Sequence, residues 1–307
     1  MTMSLPSWRL YLELTRLNHP LDAIVIYLPC ATGVVHAAVV SHRQTLPLSL
    51  VLQCLIGWLP ISVLQTSFAN TINDILDQDL DRKVSRCRNR PLARGALSTT
   101  QASLFAAIQA VTLVLLSIWA LPGASRIYPI AAVVSSCIYP FGKRITNYPQ
   151  AILGAVFAAG FLWGYESTGL RLAPQAPMVK ISAGSMMGVL CLWVVMLDVI
   201  YAFQDVADDP RAGVRSMSVR FQNSSRWLLT VLGTMYMILL LVSGVAASLG
   251  RNFVVVAGCA ATTLVVNLCW VGVTSRASCR WRFRRGLPLM AGIVFLGLFG
   301  IACLRGS

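Results

Sequence analysis

Nine apolar stretches decide most of what this chain can become. They run over about 21–40, 48–72, 99–121, 124–141, 149–168, 178–203, 227–250, 252–273 and 286–304. A helix needs roughly 17–25 residues of this kind to cross a bilayer. In hydrocarbon the backbone must satisfy its own polar groups, and a helix does so within one segment. Only 12% of the 307 residues are charged, about half the share usual in a soluble domain. The sequence therefore predicts an all-α, polytopic membrane protein with nine transmembrane helices.

The net charge of +14 raises the possibility of nucleic acid, but its placement points to a membrane. With nine spans, the N-terminus and the loops on its side hold 19 of the 25 Lys and Arg, and the opposite side holds six. Such an excess marks the cytoplasmic face. The expected orientation is N-terminus in and C-terminus out, with basic residues meeting anionic lipid and an anionic substrate. Residues 1–20 lack the apolar core of a secretory signal and the composition of a mitochondrial transit peptide. Leu10, Leu14 and Leu17 fall on one face there, as in a short helix lying on the membrane surface. The nine cysteines and three histidines form no ligand pattern. Asn223 opens a formal glycosylation sequon, in a loop expected to be cytoplasmic.

In so apolar a chain the acids are informative. Eight of the eleven lie in two windows, Asp74, Asp77, Asp79, Asp81 and Asp198, Asp205, Asp208, Asp209. Each window ends a span on the same side. In a helix Asn73, Asp74, Asp77 and Asp81 share a face, while Asp79 points away toward solvent or an arginine. Asp198, Tyr201, Ala202, Asp205, Asp208 and Asp209 form a second stripe, expected to stop at Pro210. One acidic cluster at a helix end also fits a solvated cap or half of an ion-pair network. Two on one side, after the second and sixth spans, fit a shared site better. Facing carboxylates repel unless a cation lies between them, and magnesium favours one or two carboxylates plus substrate phosphates. Cations follow each window: Arg82, Lys83, Arg86, Arg88, Arg90 and Arg94, then Arg211, Arg215, Arg220 and Arg226. Lys143 and Arg144 close the fourth span, and Arg16 precedes the first. Phosphate is met by Lys as a point charge and by Arg as a fork.

These residues resemble a known signature. NDILDQDLD followed by NRPLARG is similar to the N-D-x-x-D-x-x-x-D and R-P-L-x-x-G motifs of the UbiA superfamily of intramembrane prenyltransferases. DVIYAFQDVADDPRAGVRS resembles its second motif, YPFGKRITNYPQAILG the segment between them, and TRLNHP the opening R-x-x-x-P. The resemblance spans residues 15 to about 220. It implies one transmembrane domain over 1–307, with a central cavity, an interfacial segment at 1–20 and motif loops near 73–98 and 204–226. It also implies two magnesium ions bridging the motifs to an allylic diphosphate. Carried over by position, Asn73, Asp74, Asp77, Asp81, Asp205, Asp208 and Asp209 are the metal-binding set. Arg16, Arg82, Lys83, Lys143, Arg144 and Arg215 become diphosphate contacts. Asp198 and Tyr201 lie nearer the reacting carbons, with Lys143 and Arg144 beside them.

The implied reaction is transfer of a prenyl group, farnesyl or related, to a carbon of an aromatic acceptor. RLNHPLDAIVIYLPCATGVVHAAV looks like fungal members that prenylate polyketide-derived phenols or pyrones in meroterpenoid pathways, which places the protein in an endomembrane such as the ER. The alternative within the family is 4-hydroxybenzoate polyprenyl transfer for ubiquinone. A CDP-alcohol phosphotransferase would place D-G and A-R between acids on one helix, and nothing comparable occurs. A cation transporter would carry its carboxylates near mid-bilayer, whereas these gather at one surface.

Overall fold

The computed structural model describes residues 8–17, 21–41, 46–121, 127–269 and 275–306. His19 and His42 lie outside them, as do parts of the interfacial segment. The described residues are all helical or loop. In chain order the helices are α1 Trp8–Thr15, α2 Leu21–Val40, α3 Leu48–Leu76, α4 Gln78–Asp81, α5 Thr99–Ala120, α6 Ile127–Ile145 and α7 Pro149–Ser167. There follow α8 Pro177–Ala202, α9 Asp209–Ala212, α10 Met217–Arg220, α11 Ser225–Ala246, α12 Gly250–Cys269 and α13 Arg276–Trp281. A π-helical turn, Arg282–Gly286, leads into α14, Leu287–Gly306.

Nine long helices among the described residues coincide with the nine expected stretches. Seven are long and apolar enough to cross a membrane: those of α2, α3, α5, α8, α11 and α12, and the run from α13 into α14. The others, α6 and α7, carry polar side chains for a reason the packing makes plain. Ser135, Ser136, Tyr139 and Lys143 recur along α6 at helical spacing, and all four face an internal cavity. Gln150 of α7 joins them.

The bundle closes because small residues let backbones meet. α2 packs on α7, which packs on α8, and α8 packs on α11; α3 leans on α5, α6 and α2. A Cβ on Gly164 of α7 would sit 1.8 Å from the Cys30 carbonyl oxygen of α2, so only glycine fits. The Gly154–Gly160 run does not line the cavity with its glycines: a Cβ on Gly154 would meet Cys191 Sγ at 2.7 Å. Outward residues such as Leu104, Val111 and Leu115 of α5 and Val254 and Val255 of α12 stay exposed, as a lipid-facing belt does.

Three local expectations change. α1 also packs on the protein: Leu14 is wholly buried with Leu92 and Leu97, and Tyr11 meets Phe105 edge to face. Leu17 remains exposed. The first acidic window is not one continuous helix, because α3 ends at Leu76 and Asp77 (φ −97°, ψ 4°) joins it to α4. The Asp81 amide still bonds the Asp77 carbonyl at 2.8 Å, so the stripe survives the break. Nor does Pro210 end the second helix. α8 stops at Ala202, and Pro210 sits in the first turn of α9, where its missing N–H is harmless.

Candidate active site

The acidic windows meet across one cavity of about 880 Å³. Its polar end is lined by Asn73, Asp77 and Asp81 from the first window and Asp198, Tyr201, Asp205 and Asp209 from the second. Arg16, Arg86, Arg90 and Lys143 stand between them. The rest of the lining is mostly apolar, with Val25, Ile26, Leu153, Val156, Phe157, Val194 and Leu197, and includes Gln65, Thr66, Ser135 and Ser136.

Local folding aims these groups. α1 gives way to Arg16 in the left-handed region at φ 53°, and the side chain then reaches Asp74 at 2.6 Å. Asp74 also accepts from Arg90 Nη1 at 3.2 Å, and the same nitrogen donates to Asp81 at 2.7 Å. From α6, Lys143 Nζ donates to Asp77 at 2.6 Å and to Asn73 at 3.1 Å. Arg86, in the loop after α4, forks onto Asp205 at 2.6–3.1 Å and donates to the Tyr201 hydroxyl at 2.6 Å. Its guanidinium lies over the Tyr201 ring, 4.7 Å from the centroid. The neighbouring Ser85 amide donates to Asp208 at 3.2 Å. The loop of the first window is thus bonded to the acids of the second. Tyr139 donates to Asp198 at 3.3 Å.

Electrostatics separate the aspartates further. Burial, followed by the charge of Asp205, pushes the Asp209 carboxyl up to about 7. Burial also raises Asp81, against the pull of Arg90. The fork from Arg144 holds exposed Asp79 low, as its outward position demands.

Not every expected residue faces the cavity. Asp74 is buried behind it, 1% exposed, and holds Arg16 and Arg90. Asp208 sits at the rim against Ser85. Arg82 turns to the Ala93 carbonyl and Arg144 to Asp79 and Leu76, while Lys83 and Arg215 are exposed. None of these last four lines the cavity. Arg86 and Arg90 do, as do Glu13, Asp22, Tyr139, Gln150, Arg280, Phe283 and Arg284. The signal for Tyr139 was its place four residues before Lys143. For Arg86 and Arg90 the sequence offered only membership in a basic run.

The donor chemistry suits a hard divalent cation: Asn73, Asp77, Asp81, Asp205 and Asp209 offer only oxygen. Asp77 Oδ1 is buried in the cavity wall and accepts no hydrogen bond from the described residues. No three of the described acids converge as a ready ligand set, because Arg86, Arg90 and Lys143 engage them. A bound cation would take over carboxylates that these side chains hold here.

Comparison with known proteins follows the same residues. The chain is 36% identical over 260 residues to prenyltransferase stbC of Stachybotrys bisbyi, covering 83% of this chain and 76% of that one. It is 32% identical over 247 residues to the mitochondrial 4-hydroxybenzoate polyprenyltransferase of Schizosaccharomyces pombe, covering 80% and 66%. A solved UbiA homologue from Archaeoglobus fulgidus, bound to DMAPP and Mg2+, superposes with a TM-score of 0.68 at 17% identity, covering 96% of this chain and 99% of that one. The description that matches residues 26–301 is that of the UbiA prenyltransferase family, and the chain belongs to it.

Proposed function

We propose that the protein transfers a prenyl group, farnesyl or a close relative, from its diphosphate to a ring carbon of a polyketide-derived phenol or pyrone. The observation that carries this reading is the cavity's lining: acids and bases of both windows together with a mostly apolar remainder. A volume of about 880 Å³ is in the upper part of the range for small-molecule sites, roughly 300–1,000 Å³. That is room for an allylic diphosphate beside an aromatic ring. A protein named DMOA farnesyltransferase nvfB, of Aspergillus novofumigatus, is 37% identical over 220 residues, which supports a farnesyl donor.

The residues present divide the work. Asn73, Asp77, Asp81, Asp205 and Asp209 would hold magnesium, which neutralises the departing diphosphate. Lys143, Arg16, Arg86 and Arg90, released from their aspartates, clamp phosphate oxygens. The allylic C–O bond breaks and its electron pair leaves with the diphosphate. The tail lies among Val25, Ile26, Leu153 and Phe157, where exclusion of water protects the allylic cation. The rings of Tyr139, Tyr201 and Phe283 offer π faces that stabilise positive charge. A ring carbon of the acceptor attacks, and loss of its proton restores aromaticity. Asp198 and Tyr201, which line the cavity and match family positions nearer the reacting carbons, would act beside that exchange.

The 19-to-6 partition of basic residues supports a cytoplasmic cavity mouth, with the N-terminus inside and the C-terminus outside. An endomembrane such as the ER fits this arrangement. Membranes carrying the protein, incubated with labelled farnesyl diphosphate and a panel of phenolic acids, should yield prenylated phenol that EDTA abolishes. Product that survives chelation refutes the metal-dependent part. Absence of product across the panel, with excess magnesium, refutes the acceptor class.

A further inference from the structure

The cavity reaches to different depths along the helices that line it. On α8 its lining stops at Val194, four residues from Asp198 and so about 6 Å away from the acids. On α3 it continues to Gln65, eight residues from Asn73, and on α6 to Ser135, eight from Lys143, about 12 Å in each case. The deep arm therefore runs between α3 and α6, with Phe157 of α7 beside it. Thr66 and Ser136 turn their hydroxyls back to the carbonyls of Ser62 and Ala132 at 2.8 and 2.9 Å. Gln65, 6% exposed, is left as the largest polar side chain of the arm. Beyond it lies a second, small cavity of about 20 Å³, and among the described residues Gln65 alone lines both. The same three helices wall this chamber with Trp58, Tyr128 and Trp163. The wall is braced: Trp58 Nε1 donates to Ser167 Oγ at 3.1 Å, and Ser167 donates to the Gly164 carbonyl at 2.7 Å. The Tyr128 hydroxyl donates to Glu166, whose other oxygen accepts from the Leu172 amide at 3.2 Å.

We infer that Gln65 sets the length of donor the enzyme uses: its side chain ends the space open to an isoprenoid tail, and the braced chamber behind it becomes usable only when that side chain is made smaller. The inference rests on the prenyl-transfer reading and adds to it a residue that reads the far end of the donor. A diphosphate held among the acids and Lys143 sends its tail away from them, and the arm between α3 and α6 is the deepest path the lining offers. A tail longer than the arm must fold back or pass between helices, and its last carbons then lose the burial that favours them. Trp58 stands seven residues beyond Gln65 on α3, about 10 Å further on. Trimming Gln65 joins that length to the arm.

The test uses the full chain in membranes, with geranyl, farnesyl and geranylgeranyl diphosphates as donors and one phenolic acceptor. Wild type should show a kcat/KM for the farnesyl donor at least about tenfold above that for the geranylgeranyl donor, the discrimination an apolar pocket makes against surplus carbons. Gln65→Ala should bring the two within about threefold. Gln65→Leu keeps the bulk without the amide and should keep the preference, while Gln65→Phe should move it toward the geranyl donor. Trp58→Phe alone should leave the preference as in wild type, because Gln65 still closes the arm. Added to Gln65→Ala, it should favour the longer donor further. A wild type indifferent to length, or a preference that Gln65→Ala leaves intact, would mean that the tail passes between helices into lipid, and would overturn the inference. So would a preference relaxed by Trp58→Phe alone or by Gln65→Leu. Competition of the three diphosphates against labelled farnesyl diphosphate, on purified protein with magnesium and no acceptor, separates the two readings. If Gln65-dependent length selection persists in binding where no transfer occurs, the length stop stands and the transfer reading fails.

Discussion

Arg86 forks onto Asp205, 119 residues further along the chain, and so the loop of one acidic window is bonded to the acids of the other. The arginine is mostly buried and also serves Tyr201. Arg86→Ala should lower prenyl transfer by about 10²–10³, the scale of losing one preorganised donor at a developing charge. Arg86→Lys keeps the charge without the fork and should recover only part of it. Initial rates at saturating donor, normalised to membrane-embedded protein, decide this. Equal activity in all three proteins would remove Arg86 from the site.

Asp74 and Asp77 should fail in different ways. Asp74 touches no cavity but neutralises Arg16 and Arg90. Asp74→Asn takes from Arg16 the carboxylate it pairs with and leaves Arg90 only Asp81, and breaking a buried pair costs about 3–5 kcal/mol. Thermal unfolding in detergent should show a large drop along with the lost activity. Asp77→Asn should abolish transfer with little change in melting, since Lys143 retains Asn73 as a partner. Identical melting of the two variants would refute the division.

The Arg144–Asp79 pair is a control. Asp79 is 54% exposed and Arg144 36%, and exposed pairs are worth about 0–1 kcal/mol after solvent screening. Arg144→Ala should therefore keep activity within about threefold by the same rate assay. A loss of hundredfold would restore Arg144 to the catalytic role that its place in the family motif implies.

Acid should raise the magnesium requirement. Asp209 has its pKa pushed up to about 7 by burial and by Asp205. Proton and cation compete for the carboxylate. Above about pH 7 the group is already ionised and the requirement should be flat. Below it, half-saturating magnesium should rise by up to about tenfold per pH unit. Magnesium titrations between about pH 6 and pH 8 test this, and a flat line throughout would contradict it.

Gly164→Ala should prevent accumulation of folded protein, because its Cβ would overlap the Cys30 carbonyl. Gly184→Ala, with nothing within 4 Å, should accumulate normally. Detergent-solubilised yield by size exclusion distinguishes them, and equal yields would mean α2 and α7 can separate.

Much of this organisation was legible from spacing alone. The nine stretches stood out because hydrocarbon demands length and apolarity, and Asp79 parted from its neighbours because a helix repeats every 3.6 residues. Loops carry no such period. Arg82, Arg86, Arg90 and Arg94 look equivalent in the sequence, yet backbone carbonyls and Glu13 take the first and last. Aspartates of the cavity take the middle pair. Pro210 misled because proline stops a helix and also starts one. The π turn gives no sign of itself, since it depends on Asn267 and Trp193, distant in sequence.

The bond from Arg86 to Asp205 also bears on biosynthesis. As the chain emerges from the ribosome, Arg86 is made long before its carboxylate partner, and six long helices precede Asp205. Until then Arg86 lacks the carboxylate that it forks onto. The polar lining of the substrate chamber is therefore complete only once the end of α8 and the loop after it have been made.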